Sequence, residues 1–196
     1  MRYLLALVFV ATLGSYGCGD SSPSGPSGGS GTLNMRITDS PFSDAKAVLV
    51  KIKELSVHRE DAPWETVAFP NAATTWICDL KKLEGPIDVL GGAVLTAGHY
   101  TQIRFVVDTA TIYWENASGA ATACAADIPA PAGTFSSLEI PSGEVKLNRG
   151  FDLAADGTTT VTLDFDGDKS IQIHETGNGR YVMRPVVMVQ NVKEEE

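Results

Sequence analysis

The sequence has few of the residues that build metal centres and disulfide frameworks, with three cysteines and three histidines in 196 residues. Neither Cys78 nor Cys124 has a second cysteine or a histidine at ligand spacing, which argues against a zinc site. His58, His99 and His174 are too scattered along the chain to suggest a ligand set. The sequence therefore gives no reason to expect a zinc centre.

Long apolar runs and basic clusters are also missing. The apolar run at residues 3–13 is far shorter than the roughly twenty residues that a transmembrane helix requires. The formal net charge is -9, whereas nucleic acids and anionic lipids attract clusters of Lys and Arg. We therefore expect neither a membrane-spanning helix nor a nucleic-acid partner.

Signatures of catalysis are missing as well. No Gly-x-Ser-x-Gly motif within the predicted domain at 32–193 nominates a serine nucleophile. Carboxylate pairs for glycoside hydrolysis can be drawn from Glu54, Asp108, Asp152 or Asp164, but any acidic domain offers such choices. Solvation of the surface explains these carboxylates more simply, so we assign no catalytic residue.

The N-terminus, by contrast, carries a distinct pattern. Residues 1–17 are predicted to be a secretory leader, with Arg2 as the only charge, an apolar stretch at 4–10 and small residues near a cleavage point. Cys18 would then begin the mature chain. The arrangement resembles a bacterial lipoprotein signal peptide, which implies a lipid on the Cys18 thiol, although Ser15 stands where such signals usually carry Leu. The alternative is an ordinary secreted protein in which Cys18 is a spare thiol.

A tether and a single domain follow. Residues 19–31 consist only of Gly, Asp, Ser and Pro, so we expect 18–31 to be a lipidated cysteine and a flexible spacer. Residues 32–193 have the length of one domain, and 194–196 are expected to be a solvated acidic tail. The prediction is a protein secreted across the inner membrane and held by lipid to the cell membrane or the outer membrane.

The remaining cysteines depend on this assignment. If Cys18 carries lipid, Cys78 and Cys124 are left as a candidate disulfide pair in an oxidising compartment. A structural disulfide and two separate buried thiols both remain open.

Apolar residues alternate with polar ones almost throughout the domain, as in Leu33, Met35 and Ile37. The phase of this alternation shifts after Ile52, which predicts a β-bulge near Lys53 and Glu54. Many short strands with Gly and Pro turns predict an all-β fold. The specific expectation is an antiparallel β-sandwich, immunoglobulin-like or transthyretin-like, with the topology open.

Individual strands are predicted from the same alternation. They include separate strands at 100–107 and 111–115, one at 158–165 that leads through residues 166–168 into the next, and one at 181–189 interrupted by Pro185. Tyr100 is expected to bury its ring and to bond its hydroxyl to nearby backbone, as in a tyrosine corner.

Several short segments, taken in order, resemble a known family. The segments are Ile37-Thr38-Asp39-Ser40-Pro41, Leu55-Ser56-Val57-His58-Arg59, Ala97-Gly98-His99-Tyr100-Thr101-Gln102-Ile103-Arg104, Ile140-Pro141-Ser142-Gly143 and Leu163-Asp164-Phe165-Asp166. Together they resemble the bacterial and archaeal lipoprotein domain known as domain of unknown function 4382. The resemblance implies a lipoprotein but brings no activity, and residues 116–135 depart from it by being longer and rich in Ala.

Asp164, Asp166 and Asp168 alternate in a pattern that partly matches an EF-hand loop. The glycine falls at the fourth place instead of the sixth, and the flanks have the period of strands. A hairpin connection with solvated aspartates is therefore favoured, and a structural Ca²⁺ site of another kind is the alternative. We expect no other cofactor.

Aromatic residues offer the best candidates for ligand contact. Adjacent Tyr113 and Trp114 must point to opposite faces of a strand, so at most one of them belongs to the core. The other could stack against a sugar ring or anchor a peptide. For Trp64 and Trp76 we expect core packing.

These observations predict a cell-envelope lipoprotein that acts as a non-enzymatic binding or assembly module, with an envelope glycan or protein as its ligand. The alternatives are a purely structural envelope protein and an unrecognised carbohydrate-active or other hydrolytic enzyme.

Overall fold

The computed structural model describes residues 28–40, 45–176 and 180–195. Within helices and strands, the side chains of Ser40, Asp168 and residues 171–180 are outside this description. The predicted leader at 1–17, the lipidation candidate Cys18 and the tether up to residue 27 also lie outside the described residues.

Fourteen strands account for most of the described chain. They are β1 (Ser30–Ser40), β2 (Ala47–Arg59), β3 (Trp64–Thr66), β4 (Trp76–Asp79), β5 (Asp88–Thr96), β6 (Gly98–Tyr113), β7 (Cys124–Ala125), β8 (Phe135–Glu139), β9 (Glu144–Leu147), β10 (Phe151–Leu153), β11 (Thr158–Asp166), β12 (Ile171–Thr176), β13 (Arg180–Met183) and β14 (Val187–Glu195). Helical segments are short: one α-turn, α1 (Gly167–Ser170), and 3₁₀ turns at Pro70–Ala72 and Leu80–Lys82.

The strands form two sheets. The small sheet has the order β14-β11-β1-β5, and the large sheet has the order β12-β13-β8-β6-β2-β4-β7, with β3 added to β2 and with β9 and β10 added to β6. The predicted all-β sandwich is therefore confirmed. Both sheets are mixed and not wholly antiparallel as expected, because β1 pairs with β11 and β8 pairs with β13 in parallel, while the other pairs are antiparallel.

The core lies between the sheets and follows from the alternation in the sequence. Leu33 and Met35 of β1 and Leu163 of β11 are fully buried on the inner face of the small sheet. Val57 of β2 and Ile103 of β6 are fully buried on the large sheet and belong to the same cluster. Burying these side chains supplies the main favourable free energy of folding, since apolar surface is removed from water.

The bulge predicted in β2 is confirmed. Ile52 pairs with Val107 and Glu54 with Val106, so Lys53 has no partner in β6. This extra residue restores Leu55 and the alternate residues after it to the inner face.

Three predicted strands need correction. The segments 100–107 and 111–115 belong to a single strand, β6, because Asp108 is a second unpaired residue that interrupts the alternation without ending the strand. The segment 181–189 is instead two strands, β13 and β14, which lie in different sheets on either side of Pro185. Proline has no amide hydrogen to donate to a ladder, which suits a position between sheets.

The domain boundaries also shift. Ser30 and Gly31, expected in the tether, already pair with β5 as the start of β1. Glu194 and Glu195, expected in a free tail, pair with β11 as the end of β14, with their side chains exposed. Charged side chains are compatible with strand pairing here because β14 is an edge strand whose outer positions face water.

Candidate functional site

The outer face of the large sheet carries connected polar side chains where β3, β2, β6 and β9 lie side by side. Alternate residues of a strand point to opposite faces, so the residues between the core positions lie on this outer side. We call this surface the polar face. Its members are Glu54, Ser56, His58, Trp64, Gln102, Arg104, Lys146 and Asn148.

The register of the strands brings these residues together from distant parts of the chain. Trp64 is opposite His58, and His58 is opposite Gln102. In the neighbouring row, Ser56 is opposite Arg104. Residues directly opposite on one face of a sheet are close enough for their side chains to interact, so the rows form a continuous surface.

Arg104 is at the centre of this surface. Its guanidinium carbon lies 4.4 Å from the centroid of the Trp64 ring, a cation–π contact. Its Nε donates to Ser56 Oγ at 3.2 Å, and its Nη2 donates to the Glu54 carboxylate. The His58 ring lies 5.0 Å from the indole. These contacts hold Trp64 in a fixed orientation in which the residue is half-buried.

A cleft of about 360 Å³ opens at the edge of the polar face, beyond β9. We call it the Arg184 cleft. It is lined by Pro141, Ser142, Glu144, Val145, Lys146, Met183, Arg184 and Pro185. It lies between β9 and the segment that connects β13 to β14.

Charge in the Arg184 cleft is mostly positive. Lys146 Nζ lies 3.0 Å from Glu144 Oε1, so these two charges are paired. The Arg184 backbone is held by a hydrogen bond from its nitrogen to Ser170 O at 2.8 Å, and its exposed side chain has no partner in the part of the chain described here. A guanidinium in this state is available to an anionic group.

The predicted tyrosine corner is confirmed next to the polar face. Tyr100 is fully buried, and its hydroxyl donates to Thr96 O at 2.8 Å and lies 3.0 Å from a Glu65 carboxylate oxygen. Burial raises the pKa of Tyr100, and the hydrogen bond with Glu65 raises it further. Tyr100 is therefore a neutral structural residue that fastens the start of β6.

Tyr113 and Trp114 point to opposite faces as predicted, but both are packed against protein. Tyr113 is only 7% exposed and lies in a second small cluster with Leu49 and Ile128. Trp114 is half-buried against the main core, with its ring 5.6 Å from that of Tyr181. Tyr113 is thus corrected from a ligand-stacking candidate to a buried residue, because the long 116–135 segment contributes Ile128 and covers it.

The other two tryptophans differ from each other. Trp76 is buried, stacks on Phe69 and donates from Nε1 to Val89 O at 3.1 Å, which confirms core packing. Trp64 is corrected from a core residue to a half-buried member of the polar face.

Cys78 and Cys124 are joined by a disulfide with a Cα–Cα distance of 4.1 Å. They are opposite each other on the neighbouring strands β4 and β7. Both are almost completely buried, so the bond fastens the 116–135 segment to the large sheet and is shielded from solvent.

The aspartates at 164–168 do not form the expected hairpin with solvated carboxylates. The chain instead crosses from β11 in the small sheet to β12 in the large one through α1. Asp166 is buried, and its carboxylate accepts from Lys169 N at 3.0 Å and pairs with Lys169 Nζ. Lys169 lowers the pKa of Asp166. The side chain of Asp168 lies outside the description, and among the described residues no group of three or more His, Cys, Asp or Glu is arranged to hold a metal ion.

A neighbouring buried carboxyl, Asp39, is more unusual. It is 4% exposed, its Oδ1 accepts from Gly167 N at 2.9 Å, and its Oδ2 has no hydrogen-bond partner among the described residues. Burial, with smaller contributions from Glu84, Asp164 and Asp166, raises the pKa of Asp39 to about 8. Asp39 and Asp166 thus both accept hydrogen bonds from backbone nitrogens of α1, where the chain crosses between the sheets. Asp39 does so in its protonated form near neutral pH.

The sequence interpretation missed the polar face. Its residues do occur as the polar members of two alternating stretches, Ser56 and His58 in β2 and Gln102 and Arg104 in β6. That pattern alone indicates only a solvated face. What joins them to Trp64 is strand register across the sheet, which a single sequence does not specify.

The fold and its surface define a class of protein: a two-sheet β-sandwich with one organised polar face and a cleft at its edge. The chain belongs to the family described as Domain of unknown function (DUF4382), whose model matches residues 30–185. Segments that carry the resemblance noted above contribute Ser56, His58, Gln102 and Arg104 to the polar face and Pro141 to the Arg184 cleft.

No curated protein and no solved structure matches the chain. None of the helical segments in the described ranges has the length and apolar character needed to cross a membrane.

Proposed function

We propose that this protein is a cell-envelope lipoprotein, secreted across the inner membrane and anchored through lipid on Cys18, whose sandwich is a non-enzymatic binding module. The ligand surface is the polar face, and the ligand is an envelope glycan. The observation that carries this proposal is the half-buried Trp64 held by Arg104 on the outside of the large sheet.

The chemistry of the polar face suits a carbohydrate. Sugar rings have apolar faces that pack on aromatic rings and hydroxyls that bond to planar polar groups. Trp64 supplies the aromatic ring, and Gln102 supplies a side-chain amide whose Nε2 donates to Asn148 Oδ1 at 2.8 Å. Because neighbouring strands are about 4.8 Å apart, the four strands from β3 to β9 extend over about 14 Å, which suits an oligosaccharide better than one sugar.

The state of the charged groups favours binding over catalysis. A general acid or base needs a proton to give or accept at a poised pKa. On the polar face, Glu54 and Arg104 are instead paired with each other. Fixed, mutually paired groups orient a ligand, and this supports a binding module.

The tether fits an anchored module. Residues 19–29 separate Cys18 from the first strand. Their Gly, Asp, Ser and Pro composition is typical of a spacer. An anchored domain of this kind meets envelope polymers without touching lipid.

Binding of the full chain to an array of envelope glycans tests this proposal. We expect at least one glycan to bind, and we expect Trp64→Ala to weaken binding by about tenfold or more, since buried aromatic anchors dominate such surfaces. Phe135→Ala is the matched control, because Phe135 is an exposed aromatic residue that is 60% accessible and lies outside the polar face. Melting temperatures of both variants would show that they are folded.

Two outcomes would contradict the proposal. If no glycan binds, or if Trp64→Ala and Phe135→Ala behave alike, the polar face is not a glycan site and a purely structural role is favoured. If bound glycans are cleaved, the protein is an enzyme.

A further inference from the structure

The geometry points to a specific role for the Arg184 cleft: we propose that it binds the carboxylate of an acidic sugar, so that the glycan on the polar face is a uronic-acid-type polymer. This inference rests on the proposed function and names its ligand class. The cleft and the polar face share Lys146, which is opposite Arg104 across β6 and β9.

The available charge of the cleft matches a single carboxylate. Glu144 and Lys146 offset each other, which leaves the guanidinium of Arg184 without a partner among the described side chains. One free positive charge suits a monoanion, and the fork of a guanidinium can bind both oxygens of a carboxylate. Positive charge at this cleft is notable in a chain whose formal net charge is -9.

The walls of the cleft suit the rest of a sugar ring. Pro141 and Pro185 contribute rigid apolar rings to the lining, and buried Val145 and Met183 also line the cleft. Among the described strands β9 pairs only with β6, so its other edge has backbone groups without ladder partners. Three consecutive β9 residues line the cleft, which places this edge in its wall. Such groups can bond to sugar hydroxyls.

Isothermal titration of the full chain with a panel of oligouronides and with their methyl esters tests the inference. Esterification removes the negative charge and keeps the rest of the sugar. We expect the acids to bind about tenfold more tightly than the esters, and Arg184→Gln to abolish that preference, since a charge-assisted bidentate pair is lost. Arg36→Gln is the matched control, because it removes the same charge from an exposed position on the small sheet.

The outcomes separate this inference from the proposed function. If acids and esters bind alike, or if Arg184→Gln and Arg36→Gln have the same effect, the carboxylate site is wrong while glycan binding stands. If neither acids, esters nor neutral glycans bind, both proposals fail. A short peptide with a free C-terminus that binds more tightly than the oligouronides, and loses binding on C-terminal amidation, would overturn the sugar assignment in favour of a peptide carboxylate.

Discussion

The buried carboxyl of Asp39 is expected to make the stability of this domain depend on pH. Asp39 lies at the end of β1 and accepts a hydrogen bond from Gly167, so it fastens the point where the chain leaves the small sheet. Its pKa is raised from 3.8 to about 8, mainly by burial. A raised pKa means that folding favours the protonated form. The stabilisation is therefore complete below pH 3.8 and is lost as the pH rises through about 8.

The pKa of Asp39 in the folded protein is about 8, so we expect the melting temperature to fall as the pH rises from 5 to 9. We expect Asp39→Asn to remove much of that fall. The amide is neutral at every pH and keeps an oxygen for Gly167. Thermal unfolding followed by circular dichroism across this range measures the effect. Asp127→Asn is the control, since Asp127 is exposed. Parallel curves for native protein and Asp39→Asn would contradict the role of Asp39.

At the scale of elements, irregular residues in β2 and β6 determine which side chains face the core. Lys53 in β2 and Asp108 in β6 have no partners across the ladder, and each shifts the alternation by one residue. If Lys53 were paired in the ladder, Leu55 and Val57 could not share an inner face with Val50 and Ile52.

We expect deletion of Lys53 to leave the domain folded, whereas deletion of Ser56 should prevent stable folding. Without Lys53, Ile52 and Leu55 are two places apart and keep the same face. Without Ser56, Leu55 and Val57 become direct neighbours, so one of these two buried residues must leave the core. Lys53 is exposed, so little is lost with its side chain. Near-ultraviolet circular dichroism and urea unfolding distinguish the two variants. A Lys53 deletion that fails to unfold cooperatively, or a Ser56 deletion that unfolds near the native midpoint, would count against this account of the bulge.

At the scale of the whole molecule, the proposed anchor and the proposed ligand surface lie in separate parts of the chain. Lipid on Cys18 would fix the compartment, whereas the polar face and the Arg184 cleft lie on the large sheet and its edge. The disulfide between Cys78 and Cys124 is compatible with an oxidising envelope.

We expect a radioactive fatty acid to label the full chain in cells of a lipoprotein-processing bacterium, and Cys18→Ser to lose both the label and membrane association. Several acyl chains are needed for firm anchoring, so loss of the only attachment site should release the protein. The double variant Cys78→Ser with Cys124→Ser is the control and should keep its label. Equal labelling of Cys18→Ser and native protein would exclude the anchor.

Local patterns in the sequence were enough to predict several features. The all-β class and the Lys53 bulge follow from alternation, because the side-chain period of a strand is two and any shift is visible in the sequence. The tyrosine corner follows from a short local motif around Tyr100, whose hydroxyl bonds only four residues back along the chain.

Other features depended on contacts between distant segments. Alternation could not reveal that β11 and β12 belong to different sheets, since both have the period of a strand. The burial of Tyr113 depends on Ile128, and the protonation of Asp39 depends on burial and on Glu84, Asp164 and Asp166. Nothing in the local sequence specifies these neighbours.

The sequence by itself determined the strand period and the bulge, because each depends on residues that are close together along the chain. The tertiary structure alone decided that Trp64, Arg104 and the Arg184 cleft share one sheet and its edge. The physical reason is register: pairing of β3, β2, β6 and β9 sets which side chains meet, and pairing energy is a property of the whole sheet.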